Sequence, residues 1–121
     1  MATVLTDNRE KALQVGYEAT DWSTPIEYEK YLAAMRDWAV QAIERDGQCI
    51  GAVYKKDGEV HVSVLKDWRK QWVTKGLLKQ IISPEVKYTV VTPGHEYMFE
   101  ILTRLGMKNS GFNKFEVSHG Y

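Results

Sequence analysis

The sequence predicts an α/β (α+β) fold: a mixed central sheet that contains an antiparallel meander and is flanked by helices. Three observations predict it. β-rich runs in the middle of the chain are separated by Asp46-Gly47 and Asp57-Gly58, and Asp-Gly between such runs is a strong hairpin signal. Helical spacing lies on both sides of these runs, and further β-branched runs follow the later helices. The 121 residues, 44% of them hydrophobic, suffice for one domain, 1–121, with its own core.

Ala2 to Leu5 reads as a short strand, and Asp7 or Asn8 as the cap of a helix carrying Ala12, Leu13, Gly16 and Tyr17 on one face. Thr24-Pro25-Ile26-Glu27 reads as a second helix start, with Thr as cap, Pro pre-set for the first turn and Glu reaching back. Its apolar face is Tyr28, Tyr31, Leu32, Met35 and Trp38. Ala39–Glu44, Cys49–Tyr54 and Glu59–Leu65 then form the meander. A turn over 66–73 leads into a helix from about Thr74 to Ile82, which Ser83-Pro84 ends. Lys87–Thr92 is another β-branched strand, and Pro93-Gly94 precedes a helix over about Glu96–Leu105. Gly106 is that helix's natural stop, and a last strand lies near Phe112–Val117.

Sixteen basic and sixteen acidic residues leave no net charge, so the broad basic field of a nucleic-acid binder is absent and nucleic acid is an unlikely partner. Any anion site must be local. Cys49 is the only cysteine, which excludes an intramolecular disulfide and a cysteine-built zinc cage; it reads as a small buried apolar residue. The three histidines lack metal-ligand spacing, so no metal is expected, and His119 is expected in a solvated tail. No apolar run reaches the roughly 18–20 residues of a membrane span, and the N-terminus lacks a secretory apolar stretch, so a cytoplasmic protein is expected.

The segment Glu59–Ile82 carries the chemistry. Val60, Val62 and Val64 share one strand face, His61 and Ser63 the other, and Leu77, Leu78, Ile81 and Ile82 recur at helical spacing beyond a turn containing Arg69 and Lys70. Free amides at a helix start, the helix dipole and those two cations suit an anionic phosphate, although composition alone also fits a solvated basic turn.

The segment resembles the central part of the GNAT superfamily of acyl-CoA-dependent N-acetyltransferases, whose strand runs into an Arg/Gln-x-x-Gly-x-Gly/Ala turn that holds the CoA pyrophosphate. Arg69 matches, while Trp72 and Thr74 stand where small residues are expected. His61, Trp68, Arg69, Trp72 and Thr74 are similar in register to a variant found among small bacteriophage GNAT-like proteins. Phe99–Met107 resembles the superfamily's late helix ending in Leu-Gly-Phe, and the whole likeness spans roughly residues 38–117.

The resemblance implies acetyl-CoA as co-substrate and an amine acceptor, small molecule or protein, attacked directly in a ternary complex. Backbone groups of Val64 and Leu65 would hold the pantetheine and acyl end. Amides of Arg69, Lys70, Gln71, Trp72, Val73 and Thr74 would hold the pyrophosphate, with Arg69 and Lys70 adding charge and Trp68 or Trp72 open to packing on the adenine side. His61 and Glu59 stand where a base is expected, although a strand-face histidine bonded to a neighbour is the plainer reading of His61. His95 replaces an Asn that commonly opens the late helix and is expected to donate a hydrogen bond. Leu102 stands where a Tyr commonly acts as the acid, and Tyr97 is no obvious substitute. Proteins of this kind often form homodimers, and a phage-encoded one would work in the host cytoplasm. A non-catalytic GNAT-like binding or virion-associated phage protein is the alternative; a nucleic-acid module built on Trp68, Arg69, Lys70 and Trp72 is weaker.

Overall fold

Thr3–Thr6 forms the first strand, β1, and Asn8 then caps α1 (Arg9–Ala19), its Oδ1 accepting from the Lys11 N–H at 3.2 Å. The computed structural model describes residues 3–20, 26–69, 72, 74–91, 95–104, 106–111 and 114–116. The second helix, α2, runs over Tyr28–Ala34 and starts later than expected, with Glu27 at its N-cap position and no side-chain cap bond. Thr24 and Pro25, the expected cap and first-turn residue, lie outside the described residues. Trp38 falls beyond the end of α2, because the chain turns there: the Arg9 guanidinium donates to the carbonyls of Met35 (2.8 Å) and Trp38 (2.6 Å). Those acceptors no longer have a continuing helix to satisfy them.

The two Asp-Gly dipeptides turn as expected, with φ of 55° and 79° at Asp46 and Gly47 and of 50° and 87° at Asp57 and Gly58. They join β2 (Ala39–Arg45), β3 (Gln48–Lys56) and β4 (Glu59–Val64) into the antiparallel meander, with β1 added beside β2. A 3-10 turn over Lys66–Trp68 leads on to α3 (Lys75–Ile81), capped by Thr74, whose hydroxyl accepts from the Leu77 N–H at 3.1 Å. β5 (Tyr88–Val90) then pairs parallel with β4, and α4 (Met98–Arg104) follows. Gly106, at φ 88°, ends α4: its N–H donates to Thr103 and the Met107 N–H to Leu102. That is the paired bond pattern of a Schellman stop. β6 (Lys108–Asn109), too short to show a period, was not expected from the sequence, and β7 (Lys114–Glu116) is the described part of the last strand.

The sheet has seven strands in the order β1-β2-β3-β4-β5-β7-β6. Every residue from Cys49 to Tyr54 in β3 is buried, because helices cover both faces of the sheet's middle. On one face Ala12, Leu13, Val15 and Tyr31 of α1 and α2 meet Ala42, Ala52 and Tyr54. On the other, Leu77, Leu78 and Ile81 of α3 and Met98 and Leu102 of α4 cover Ile43, Val53, Val60 and Val64.

α1 approaches the sheet closely at Gly16, where an added Cβ would lie 1.7 Å from the Tyr54 hydroxyl. Tyr54 bonds Tyr31 (2.7 Å between hydroxyls) and Ser63, and Ser63 lies 3.2 Å from the Thr20 hydroxyl. Burial pushes Tyr54 up to about 12 and raises Tyr31 as well, so both stay neutral and serve as structural hydrogen-bonding groups.

Candidate active site

The site grows from a change of pairing along β4. Leu65 donates its N–H to Ile50 of β3 at 2.9 Å. Because backbone groups alternate direction along a strand, the N–H and C=O of Val64 point the other way, toward β5. Among the described residues, β4 and β5 pair at Glu59↔Tyr88 and Val60↔Thr89. Thr89 extends the pairing with its side chain, its hydroxyl donating to the Val60 carbonyl at 2.6 Å. Beside β4 and β5, beneath α3 and α4, lies a gap, a cavity of about 30 Å³ lined by Val62, Trp72, Val91, His95 and Leu102 among others. That volume accommodates about one water.

Side chains from distant segments occupy the edge of β4 in this gap. The Val64 N–H donates to His95 Nε2 at 3.1 Å, and His95 is 2% exposed. Its expected role is thereby reversed: Nε2 accepts here, because it faces a backbone donor. Arg69 Nε donates to the Val64 carbonyl at 3.0 Å and its Nη2 to the Ala19 carbonyl at 2.9 Å. The guanidinium expected beside a pyrophosphate thus ties the end of β4 to the end of α1. The Leu65 carbonyl accepts from the Trp68 N–H at 2.9 Å, so all four backbone polar groups of Val64 and Leu65 have partners within the chain.

Trp72 is fully buried among the α3 and α4 residues, and its indole N–H donates to the Tyr97 hydroxyl at 2.8 Å. Its ring is core and does not offer an adenine platform, because the small residue expected at this position is replaced by one large enough to fill the space under the turn. Burial pushes Tyr97 up to about 12, so it too stays neutral. Trp68 is half-buried with the Arg45 guanidinium 5.8 Å from its ring. Thr74 is exposed at the start of α3, whereas Lys70, Gln71 and Val73 lie outside the described residues, as does His119.

A second cluster lies on the α1 and α2 face. His61 sits opposite Tyr54 and two residues from Ser63, which puts its side chain on that face. His61 Nε2 contacts Glu59 Oε2, and the Tyr88 hydroxyl donates to Glu59 Oε1 at 2.6 Å. Burial alone would raise the Glu59 carboxyl, but Tyr88, His61 and the charge of Lys114 outweigh it and hold the group below the usual carboxylate range. Facing that carboxylate, Nε2 is the ring nitrogen placed to donate. The Trp38 ring stands edge-on at 5.5 Å, and the His61 side chain keeps 27% of its surface exposed. Tyr88 was not singled out in the sequence; its role depends on the parallel pairing that sets it beside Glu59.

No protein-family model and no curated protein sequence matches the chain. Solved structures do. An N-acetyltransferase from Staphylococcus aureus Mu50 superimposes with a TM-score of 0.67 at 10% identity, over 97% of this chain and 98% of that one. Ard1 from Thermoplasma volcanium gives 0.64 at 12% identity over 95% of both chains. The diaminobutyrate acetyltransferase EctA from Paenibacillus lautus, in complex with L-2,4-diaminobutyric acid and coenzyme A, gives 0.56 at 12% identity over 93% and 92%.

The fold is the GNAT fold. At these identities the likeness is one of architecture, and the side chains must be read on their own terms. Within the GNAT fold of this chain, Leu102 is 3% exposed and lines the gap as an apolar wall. Cys49 is buried with its thiol pushed up by that burial, which makes it a poor nucleophile. Among the described residues no group of three His, Cys, Asp or Glu is placed to hold a metal, and no helix is long and apolar enough to cross a membrane.

Proposed function

We propose that this protein is an acyl-CoA-dependent N-acetyltransferase that passes an acetyl group from acetyl-CoA to an amine by direct attack. The observation that carries the reading is the end of β4, where the Val64 N–H and C=O face side chains, His95 and Arg69, in a fold shared with acetyltransferases. One of those neighbours was crystallised with coenzyme A. In this reading the acyl end lies against Val64 and Leu65, and the pyrophosphate lies against the backbone from Arg69 to Thr74, including Lys70, Gln71, Trp72 and Val73.

Three requirements remain: a polarised carbonyl, a neutral amine and an exit for the thiolate. The Val64 amide is the donor for the carbonyl oxygen. His61 takes the amine proton at Nδ1, while Glu59, itself fixed by Tyr88, holds the imidazole in the tautomer that leaves Nδ1 basic. The amine then attacks the carbonyl carbon, the C–N bond forms and the C–S bond breaks. A thiol with an ordinary pKa near 8.5 is an adequate leaving group near neutral pH, so an apolar Leu102 does not forbid the step. The buried, poorly ionised Cys49 favours this single displacement over a thioester on the protein.

Calorimetric titration with coenzyme A and acetyl-CoA tests the reading, and absence of binding by both at millimolar concentration defeats it. His61→Ala should lower kcat/KM by about 100-fold or more. A second reading, a GNAT-fold binding or virion-associated phage protein without turnover, draws on the internal partners of Val64 and on Leu102. Tight coenzyme A binding with no transfer to any of a broad set of amines would favour it.

A further inference from the structure

His95 carries an inference that deepens the acetyl-CoA reading and rests on it. Three observations converge on its imidazole. It is almost completely buried although polar, at 2% exposure. It lies on the wall of the gap, a cavity of about 30 Å³ that Val60 and Val62 of β4 and Thr89 and Val90 of β5 also line. Its Nε2 takes up the Val64 N–H, which points toward the β5 side of β4.

We infer that His95 Nε2 occupies the subsite of the acyl carbonyl oxygen, so that His95 sets how strongly the protein distinguishes acetyl-CoA from coenzyme A. An sp² nitrogen lone pair 3.1 Å from an amide is chemically equivalent, as an acceptor, to a carbonyl oxygen at the same place. The two compete for one donor. Acetyl-CoA must exchange the imidazole for its own carbonyl and gains no net hydrogen bond, whereas coenzyme A lacks the carbonyl and leaves the Val64–His95 bond intact. The protein therefore binds the two ligands with similar affinity, and removing the imidazole releases the donor for the acyl form alone. The Arg69 bond to the Val64 carbonyl meets both ligands alike and cancels in the comparison.

The experiment is a pair of dissociation constants, for coenzyme A and acetyl-CoA, measured on the intact chain as wild type, His95→Ala and His95→Gln. The expected ratio, coenzyme A over acetyl-CoA, is near one for wild type. It rises about threefold to tenfold in His95→Ala, the range of one net hydrogen bond. It falls back toward the wild-type ratio in His95→Gln, whose side-chain carbonyl can again accept from Val64. A ratio that is the same in all three proteins overturns the inference while leaving acyl-CoA binding in place. Absence of binding to every protein defeats the acetyl-CoA reading and this inference with it. Should His95→Ala fail to fold, amide NMR of the wild type decides: acetyl-CoA should shift the Val64 amide and the His95 ring resonances together. Coenzyme A should leave both near their free positions, and equal shifts with either ligand would refute the exchange.

Discussion

On its β3 side β4 is laddered through six residue pairs, from Lys56↔Glu59 to Gly51↔Val64, whereas on its β5 side the described residues show two, Glu59↔Tyr88 and Val60↔Thr89. Backbone bonds satisfy the first edge. Side chains satisfy the second: Thr89 on Val60, His95 and Arg69 on Val64. A ladder bond can be replaced only by another strand, but a side chain can rotate away, so the second edge is the one able to exchange partners with a ligand. In the proposed reading, one side of the strand serves stability and the other binding.

The comparison is broken most severely by removing the packing that stands in for pairing on the β5 side. Trp72→Ala should cost about 3–5 kcal/mol in chemical denaturation, because it empties a fully buried indole from beneath α3 and α4. A loss below about 1 kcal/mol would mean that this side is loosely packed. On the laddered side, Gly51→Ala should cost about 2–3 kcal/mol. Its new Cβ would stand 2.6 Å from the Ser63 carbonyl oxygen, and neither strand can move without parting the ladder.

Smaller changes sharpen the contrast. Tyr31→Phe deletes one hydrogen bond to Tyr54 on the α1 and α2 face and should cost about 1 kcal/mol while leaving ligand affinity unchanged. Tyr88→Phe acts through pH. Because Glu59 is held below its ordinary value of 4.5, its stabilising contribution is complete above that pH and is lost as the pH falls through the lower folded value. Without the Tyr88 hydroxyl the depression shrinks, so the drop in stability between about pH 6 and pH 3 should be smaller than in wild type. An unchanged pH dependence would show that His61 and Lys114 suffice to hold the carboxylate.

Much of the fold was legible because its signals are local. The meander follows from Asp-Gly turns and period-2 valines, α1 from its Asn8 cap, and the end of α4 from Gly106. The start of α2 was expected at Thr24-Pro25-Ile26-Glu27, whereas Glu27 is still extended and the helix begins at Tyr28. β6 was missed because two residues show no period. In the site, Glu59 and His61 were found from their positions on β4, and the structure brings them together. Tyr88, the accepting role of His95 and the inward turn of Arg69 were not legible. Each depends on a partner chosen by the packing of separate elements.

The sequence by itself determined the α/β class, the antiparallel middle of the sheet, the absence of a broad basic surface and the lack of any disulfide. These follow from composition, from turn chemistry and from side chains two to four positions apart, where the local chain geometry sets which groups share a face. Only the tertiary structure decided what occupies the open edge of β4. His95 reaches Val64 across 31 positions, and Arg69 reaches Ala19 across 50. A backbone donor that loses its ladder partner in a buried place must be satisfied by whatever polar group the packing delivers there, and no local pattern specifies which one that is.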